Sequence, residues 1–360
     1  MPAVSPRPGR DQIGILYEHP EWFRPLFAEL DRRGLPYAPI PAHEHRFDPS
    51  ASASVVPYAL VVNRMSPSSY LRGHGRAMFY AADLLAYLEQ LGVPVVNGSR
   101  AYSLELSKAR QLALLARLGL PHPRSRVLND PQQLGPAAAE LAFPVIVKPN
   151  VGGSGALMRR FEDPDELQAA SAAGECEALF GIDGTAIVQE YHPPAGGSIV
   201  RVEALDNQFL YAIRIHNDPR QGFNLCPADI CQTPEAAPLA AAAADDGDFD
   251  LCPADAPTKA ARKINVAQPP AWAIEAVLAI FGAAGIDVGG VEYLESERDG
   301  GLYFYDVNAL SNFVTDAPAL VGFDPFVRLV DYLERRLAEV AGGYQASPTA
   351  DGATRTGRAA

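Results

Sequence analysis

Cysteine, methionine and tryptophan are scarce in this 360-residue chain, with 4, 4 and 2 copies. Cys176, Cys226, Cys231 and Cys252 are too few and too unevenly placed for a disulfide framework in a chain this size, so reduced thiols are expected. Basic residues are outnumbered as well: 30 Lys and Arg against 43 Asp and Glu leave a net charge of -13. Binding nucleic acid by counterion release needs clustered Lys and Arg, and no segment supplies them, so no nucleic-acid partner is expected. Long apolar runs are missing too. The opening MPAVSPRPGRDQIGILYE is polar and Pro-rich, and its short apolar stretch stops at Glu18, which suits neither a signal peptide nor a membrane span. The expectation is an acidic cytoplasmic protein without membrane contact. A homodimer is its default assembly, closed twofold dimers being the commonest.

What the chain does have is 48% hydrophobic residues, enough for more than one core. Over the first hundred residues, short β-branched runs (QIGILYE, YAPIPA, ALVVNRM, PVVN) alternate with amphipathic stretches (PEWFRPLFAELDRRG, AMFYAADLLAYLEQLG). That alternation predicts a parallel α/β sheet with helices on its faces. A helix from Ser103 (SLELSKARQLALLARLG) leads into an α+β region with strands at FPVIVKP, ALMRRF, TAIVQEY, SIVRVEAL and FLYAIRIH. Residues 226–262, rich in Ala, Pro and Asp, read as a long loop carrying the pentapeptide LCPAD twice. Three cysteines fall in or beside it, but their spacing with His216 is a poor match to zinc. Regular structure resumes with a helix (PAWAIEAVLAIFGAAG), the strands DVGGVEYLE and LYFYDVN, and a last helix, FDPFVRLVDYLERRLAEV. The stretch 342–360 reads as a disordered tail.

Several residues carry chemistry in this pattern. Lys148 ends an apolar strand and is followed by Asn150 and the loop Val151-Gly152-Gly153-Ser154-Gly155, so a fixed charge sits beside backbone N–H groups unobstructed by Cβ atoms. That combination suits phosphate oxygens, although glycine loops after strands are also common turns. Lys108 lies on a helix beside Arg110, where a solvated face is the plainer reading. Gln189 and Glu190 end the strand TAIVQEY, where a carboxylate can serve adenine or ribose or simply mark an edge strand. Near the C-terminus Glu292 interrupts GGVEYL, and Asp306 and Asn308, two apart, share one face of LYFYDVN. Two carboxylates and a carboxamide are hard oxygen ligands suited to Mg²⁺ shared with phosphates, or else a structural hydrogen-bond network. Asn63-Arg64 ends the strand ALVVNRM, where an α/β sheet presents ligands to its strand ends, so Arg64 is a candidate holder of a substrate carboxylate.

Taken in order, Lys108, Lys148-Pro149, the glycine loop, Gln189-Glu190-Tyr191, Glu292 and Asp306-x-Asn308 resemble the ATP-grasp superfamily over roughly Ser99 to Val340. Within it the chain is most similar to the branch of glutathione synthetase and the glutamate-adding, RimK-like ligases. The resemblance implies an ATP-grasp fold behind an N-terminal Rossmann-like pre-grasp domain at 1–102, a central lid subdomain at 103–191 and a C-terminal subdomain at 192–341. It implies that Lys108 and Lys148 contact ATP phosphates, that the loop Gly152 to Gly155 closes over them, and that Gln189, Glu190 and the backbone of Tyr191 hold adenine. Glu292, Asp306 and Asn308 would bind two Mg²⁺, with Mn²⁺ able to replace them. Arg201 and Arg214 would face phosphate or the acyl intermediate, and Asn224, Ser311 and Asn312 the substrate. The activity implied is activation of a carboxylate as an acyl phosphate and its transfer to an amine, the acceptor being an amino acid or peptide. A phosphotransferase without an amine acceptor and a nucleotide-binding regulatory protein are the alternatives. Two departures stand out. The family's terminal Glu-x-Asn is Asp306-x-Asn308 here, and its partner Asp is Glu292, so one carboxylate is a methylene shorter and the other a methylene longer.

Overall fold

The computed structural model describes residues 12–153, 155–216 and 263–345. Ser154, Asn224, the 226–262 stretch with its repeat and three cysteines, and the chain beyond 345 lie outside the described residues.

The first sheet is parallel throughout, in the order β2-β1-β3-β4, from β1 (Gln12–Tyr17), β2 (Tyr37–Pro41), β3 (Tyr58–Asn63) and β4 (Val95–Val96). Alternation along β1 explains its two covers. Ile13 and Ile15 face a core shared with Leu26 and Leu30 of α1 (Arg24–Arg33), while Leu16 faces Ala81 and Leu85 of α2 (Gly75–Gln90). Gly34 ends α1 with φ 66, a left-handed conformation that glycine adopts without Cβ strain.

Where one helix is expected from Ser103, there are two, α3 (Ser99–Glu105) and α4 (Lys108–Arg117). Ser107 breaks them apart: its backbone is extended at φ -149, and its hydroxyl accepts the Arg110 N–H at 3.3 Å as an N-cap. Lys108 therefore opens a helix instead of lying in the middle of one. Both helices contribute to the core that α7 (Ala271–Ala284) forms on the last sheet, through Ala101, Leu104, Leu114 and Leu115.

A second, antiparallel sheet runs β5-β8-β6-β7, from β5 (Ser125–Leu128), β6 (Val145–Pro149), β7 (Arg159–Phe161) and β8 (Ala186–Glu190). It is backed by α5 (Leu134–Ala138) and α6 (Pro164–Ala172). The third sheet, also antiparallel, runs β11-β10-β9-β12-β13, from β9 (Ser198–Leu205), β10 (Gln208–His216), β11 (Ile264–Val266), β12 (Val288–Glu295) and β13 (Leu302–Asn308). Along β9, Val200, Val202 and Ala204 pack toward α7, which turns Arg201 and Glu203 to the opposite face. After β13 come α8 (Ala317–Val321) and α9 (Pro325–Gln345), the latter running three residues past the expected start of the tail. Leu329, Val330 and Leu333 of α9 join β1 and β10 in one core, tying the first sheet to the third. Arg33 at the end of α1 donates to Asp331 and Glu334 at 2.7 and 2.6 Å across the same seam. Among the described residues, no helix is long and apolar enough to cross a membrane.

Candidate active site

One cavity lies where all three sheets meet. It is lined by Lys108, Lys148, Gly152, Gly153, Gly155, Gln189, Glu190, Tyr191, Arg201, Glu292, Asp306, Asn308 and Asn312, bringing most of the residues singled out in the sequence together.

Each lysine is placed by its element. The end of β6 carries Lys148 into the cavity, where its Nζ donates to the Gln189 side chain at 2.9 Å across the β6–β8 pair. Burial, and next the charge of Lys108, push the Lys148 ammonium down to about 7. Lys108 is delivered by the start of α4 and bonds Asp306 directly. Burial opposes its charge, but Asp306 prevails and holds it above the ordinary lysine value. The same helix carries Gln111, whose side chain donates to the Val307 carbonyl at 2.8 Å and accepts the Val307 N–H at 3.1 Å. Val307 lies between Asp306 and Asn308, so α4 fixes the strand that bears both.

The carboxylates are set by strand register. Glu292 and Asp306 are opposite partners in the β12–β13 pair, with side chains on one face. Just beyond them the register slips, leaving Tyr305 as an extra residue between Asp306 and Phe304. The Tyr305 hydroxyl donates to Glu292 Oε2 at 2.8 Å, and Arg201 Nη1 donates to Glu292 Oε1 at 3.0 Å. Burial, together with the neighbouring Asp306 charge, raises the Glu292 carboxyl, whereas Asp306, opposed by burial but paired with Lys108, is lowered. Behind Arg201, its Nε donates at 2.6 Å to Glu203, which is wholly buried. A Cβ on Gly290 would sit 2.8 Å from the Arg201 guanidinium, so a side chain there would displace the arginine.

At the other end, the Glu190 carboxylate accepts from the Ala142 N–H at 2.9 Å and from Arg124 at 3.2 Å. The Tyr191 N–H donates to the Pro144 carbonyl at 2.9 Å, and its carbonyl accepts from Arg298 at 3.1 Å. The backbone groups of Tyr191, expected to meet adenine, are thus bonded to protein here, while the residue itself lines the cavity beside His192.

Residues 106–229 match the model of the RimK-like ATP-grasp domain. Over that stretch the chain is similar to the RimK-like ATP-grasp family. It is 29% identical over 137 residues to a probable alpha-L-glutamate ligase of Teredinibacter turnerae, covering 38% of this chain and 44% of that protein. It is 32% identical over 136 residues to a D-alanine–D-alanine ligase of Haemophilus influenzae, covering 36% and 42%. The chain therefore spans less than half the length of either curated relative. Among solved structures, the ATP-grasp ligase PsnB complexed with minimal precursor, Mg and ADP superposes with a TM-score of 0.58 over 90% of this chain and 97% of that one. At 20% identity that likeness speaks for the fold, an ATP-grasp fold.

Three residues expected in the ATP-grasp site are placed elsewhere. Arg64 is 1% exposed, lies over the Phe23 ring with Cζ 5.1 Å from its centroid, and donates to the Ser311 carbonyl. It does not line the cavity. A strand end in a sheet open to solvent would present it to ligand, but here the 309–313 segment covers that end. Ser311 is buried too, its hydroxyl donating to Glu203 at 2.9 Å. Arg214 is exposed and donates to the Ser198 hydroxyl at 3.0 Å, away from the lining. Asn312 does reach the cavity. His216 stands 3.2 Å from Asn265, and no group of three or more His, Cys, Asp or Glu suited to a metal occurs among the described residues.

Sequence reading missed Glu105, Glu203, Tyr305 and Gln111. Glu105 lines the cavity, accepts the Ala309 N–H, and is pushed by burial up to about 7. In one dimension it is one more acid on an amphipathic helix. Glu203 offered a signal in hindsight, since an acid and a base alternate on one face of an otherwise apolar strand.

Proposed function

We propose that the chain is an ATP-dependent carboxylate–amine ligase. The observation that carries this is the pair Glu292, buried, and Asp306, partly buried, side by side across β12 and β13, with Lys108 and Lys148 converging on them beside a glycine loop. The names of the relatives, glutamate and D-alanine ligases, support the same reading.

The donor set fits Mg²⁺. Two carboxylates and the Asn308 carboxamide are hard oxygen donors, too few to enclose an ion unaided and suited to one that shares phosphate oxygens. Glu292, Asp306 and Asn308 would hold two ions, with Mn²⁺ able to substitute. Bound metal would neutralise the phosphate oxygens and the leaving ADP. Lys108 and Lys148 would orient the triphosphate and stabilise charge on the transferring group, and the glycine backbone would cover it. Gln189, Glu190 and Tyr191 would border adenine. A substrate carboxylate oxygen attacks the γ-phosphorus, the bond to the β–γ bridging oxygen breaks, and ADP leaves. An amine nitrogen then attacks the acyl carbon, the bond to phosphate breaks, and the amine gives up a proton. Arg201 would stabilise the oxygen charge of the acyl intermediate. The assembly proposed is a homodimer in the cytoplasm.

Incubation with Mg-ATP, hydroxylamine and a panel of carboxylic acids tests this. Hydroxamate and ADP formed together, and both lost in Asp306→Asn, are the expected result. ADP with a stable phosphorylated product and no hydroxamate would replace the reading with a phosphotransferase, and nucleotide binding without turnover with a regulatory protein.

A further inference from the structure

The cavity has three parts. Gln189 to His192 mark the nucleotide-base end, and Lys108, Lys148, the glycine loop, Glu292 and Asp306 mark the phosphate centre. A third wall is supplied by Trp22 and the Ser66-Pro67-Ser68 turn of the first domain, and by Leu310, Asn312 and Phe313 after β13. Two contacts show that this wall adjoins the phosphate centre. A Cβ on Gly153 would lie 3.2 Å from Ser68, and Ser311 bonds Glu203, which in turn bonds Arg201. A carboxylate placed for attack at the centre must extend its body along this wall.

The wall is mostly hydrocarbon, with Asn312 and two serines among it, and preset. Trp22, Pro67, Leu310 and Phe313 supply hydrocarbon surface, while the Ser66 and Ser68 hydroxyls bond each other at 2.8 Å. Phe313 is held at φ 57, a conformation that is costly for an aromatic residue. It is pinned by its N–H to the Ser311 hydroxyl at 3.0 Å, by the Val314 N–H to the Tyr211 hydroxyl at 3.1 Å, and by Arg64 on Ser311. Such strain persists where surrounding contacts over-determine it, and it fixes Phe313, all but 1% buried, at the cavity wall.

Charge points the same way. Among the described residues the Lys and Arg side chains lining the cavity are Lys108, Lys148 and Arg201. Lys108 is on Asp306, and Arg201 bridges Glu203 and Glu292. Arg72, which stacks on Trp22 with Cζ 4.4 Å from the ring centroid, gives its guanidinium to Glu18 at 2.7 Å. A second carboxylate on the substrate would enter this wall with no cation committed to it, and a buried unpaired charge is strongly disfavoured.

We propose that the acyl substrate is a monocarboxylate with an uncharged, aromatic or aliphatic body, such as an apolar amino acid or the apolar end of a peptide, and that Trp22, Leu310 and Phe313 select it. This rests on the ligase reading for its chemistry, though not for its binding.

Two measurements separate the two ideas. Affinities of N-acetylphenylalanine, leucine, glutamate and succinate are measured by calorimetry with a non-hydrolysable ATP analogue and Mg²⁺, and hydroxamate formation is measured with Mg-ATP. The apolar acids should bind and react with a kcat/KM at least ~100-fold above the dicarboxylates. Leu310→Arg should narrow that ratio at least tenfold by raising reaction with glutamate. Preference for glutamate or succinate would overturn the apolar pocket and leave the ligase standing. Tight binding of the apolar acids without hydroxamate would uphold the pocket and overturn the ligase. Binding of none would overturn the pocket.

Discussion

Glu292 and Asp306 face each other across one strand pair, yet each is held by a different cation, Arg201 for the first and Lys108 for the second. The longer side chain reaches back to Arg201 and Tyr305, and the shorter one stays within reach of α4. We infer that the methylene exchange noted in the sequence suits each carboxylate to its own partner. Glu292→Asp and Asp306→Glu should each lower activity by about tenfold or more. The double variant should recover part of the loss. A double-mutant cycle on hydroxamate formation checks this, and simple additivity would refute the exchange.

Tyr305→Phe removes the hydroxyl from Glu292 Oε2 and little else. The Mg²⁺ concentration for half-maximal activity should rise about tenfold, because partners of metal-binding carboxylates set their orientation. Stability in urea should change much less, since the ring remains to pack.

Gly290→Ala places a methyl 2.8 Å from the Arg201 guanidinium, itself clamped between two glutamates. The strand cannot yield without losing its pairing to β9, so the arginine must move. We expect unfolding free energy to fall by about 1–3 kcal/mol and kcat to drop about 100-fold. Denaturant titration beside steady-state kinetics reads both.

Lys148 is pushed by burial down to about 7 in the free protein, so its ammonium titrates in the neutral range. Phosphate charge beside it favours the ammonium and raises that value. ATP binding at pH 7 to 8 should therefore take up protons, with uptake vanishing near pH 5, where Lys148 is already charged. Calorimetry in buffers of different ionisation enthalpy measures this, and Lys148→Met should abolish the uptake.

Arg64→Met should weaken the fold by about 2 kcal/mol, the scale of a charged hydrogen bond lost from a buried site. A residue that held substrate in an open cleft would instead lose affinity and leave stability nearly unchanged. Urea unfolding distinguishes the two.

Much of the site could be read along the chain because its signals are local. Lys148 before a glycine loop, and Asp306 two positions before Asn308, depend only on strand period and neighbouring residue type. The four strands of the first sheet, and the helices α1 and α2 that cover it, follow from apolar periodicity in the same way. The break at Ser107 is local as well: a serine N-cap moves Lys108 from the middle of a helix to its start, where it meets Asp306.

Tertiary structure decided which of these groups would touch. The β12–β13 register set Glu292 against Asp306, the bulge turned Tyr305 onto Glu292, and burial made Glu105 and Glu203 part of the site and Arg64 part of the core. None of these outcomes is encoded in a spacing of two or four residues. They arise from contacts between residues 13 to 247 positions apart, beyond the reach of a helix or strand period, which carries no information about partner, distance or solvent.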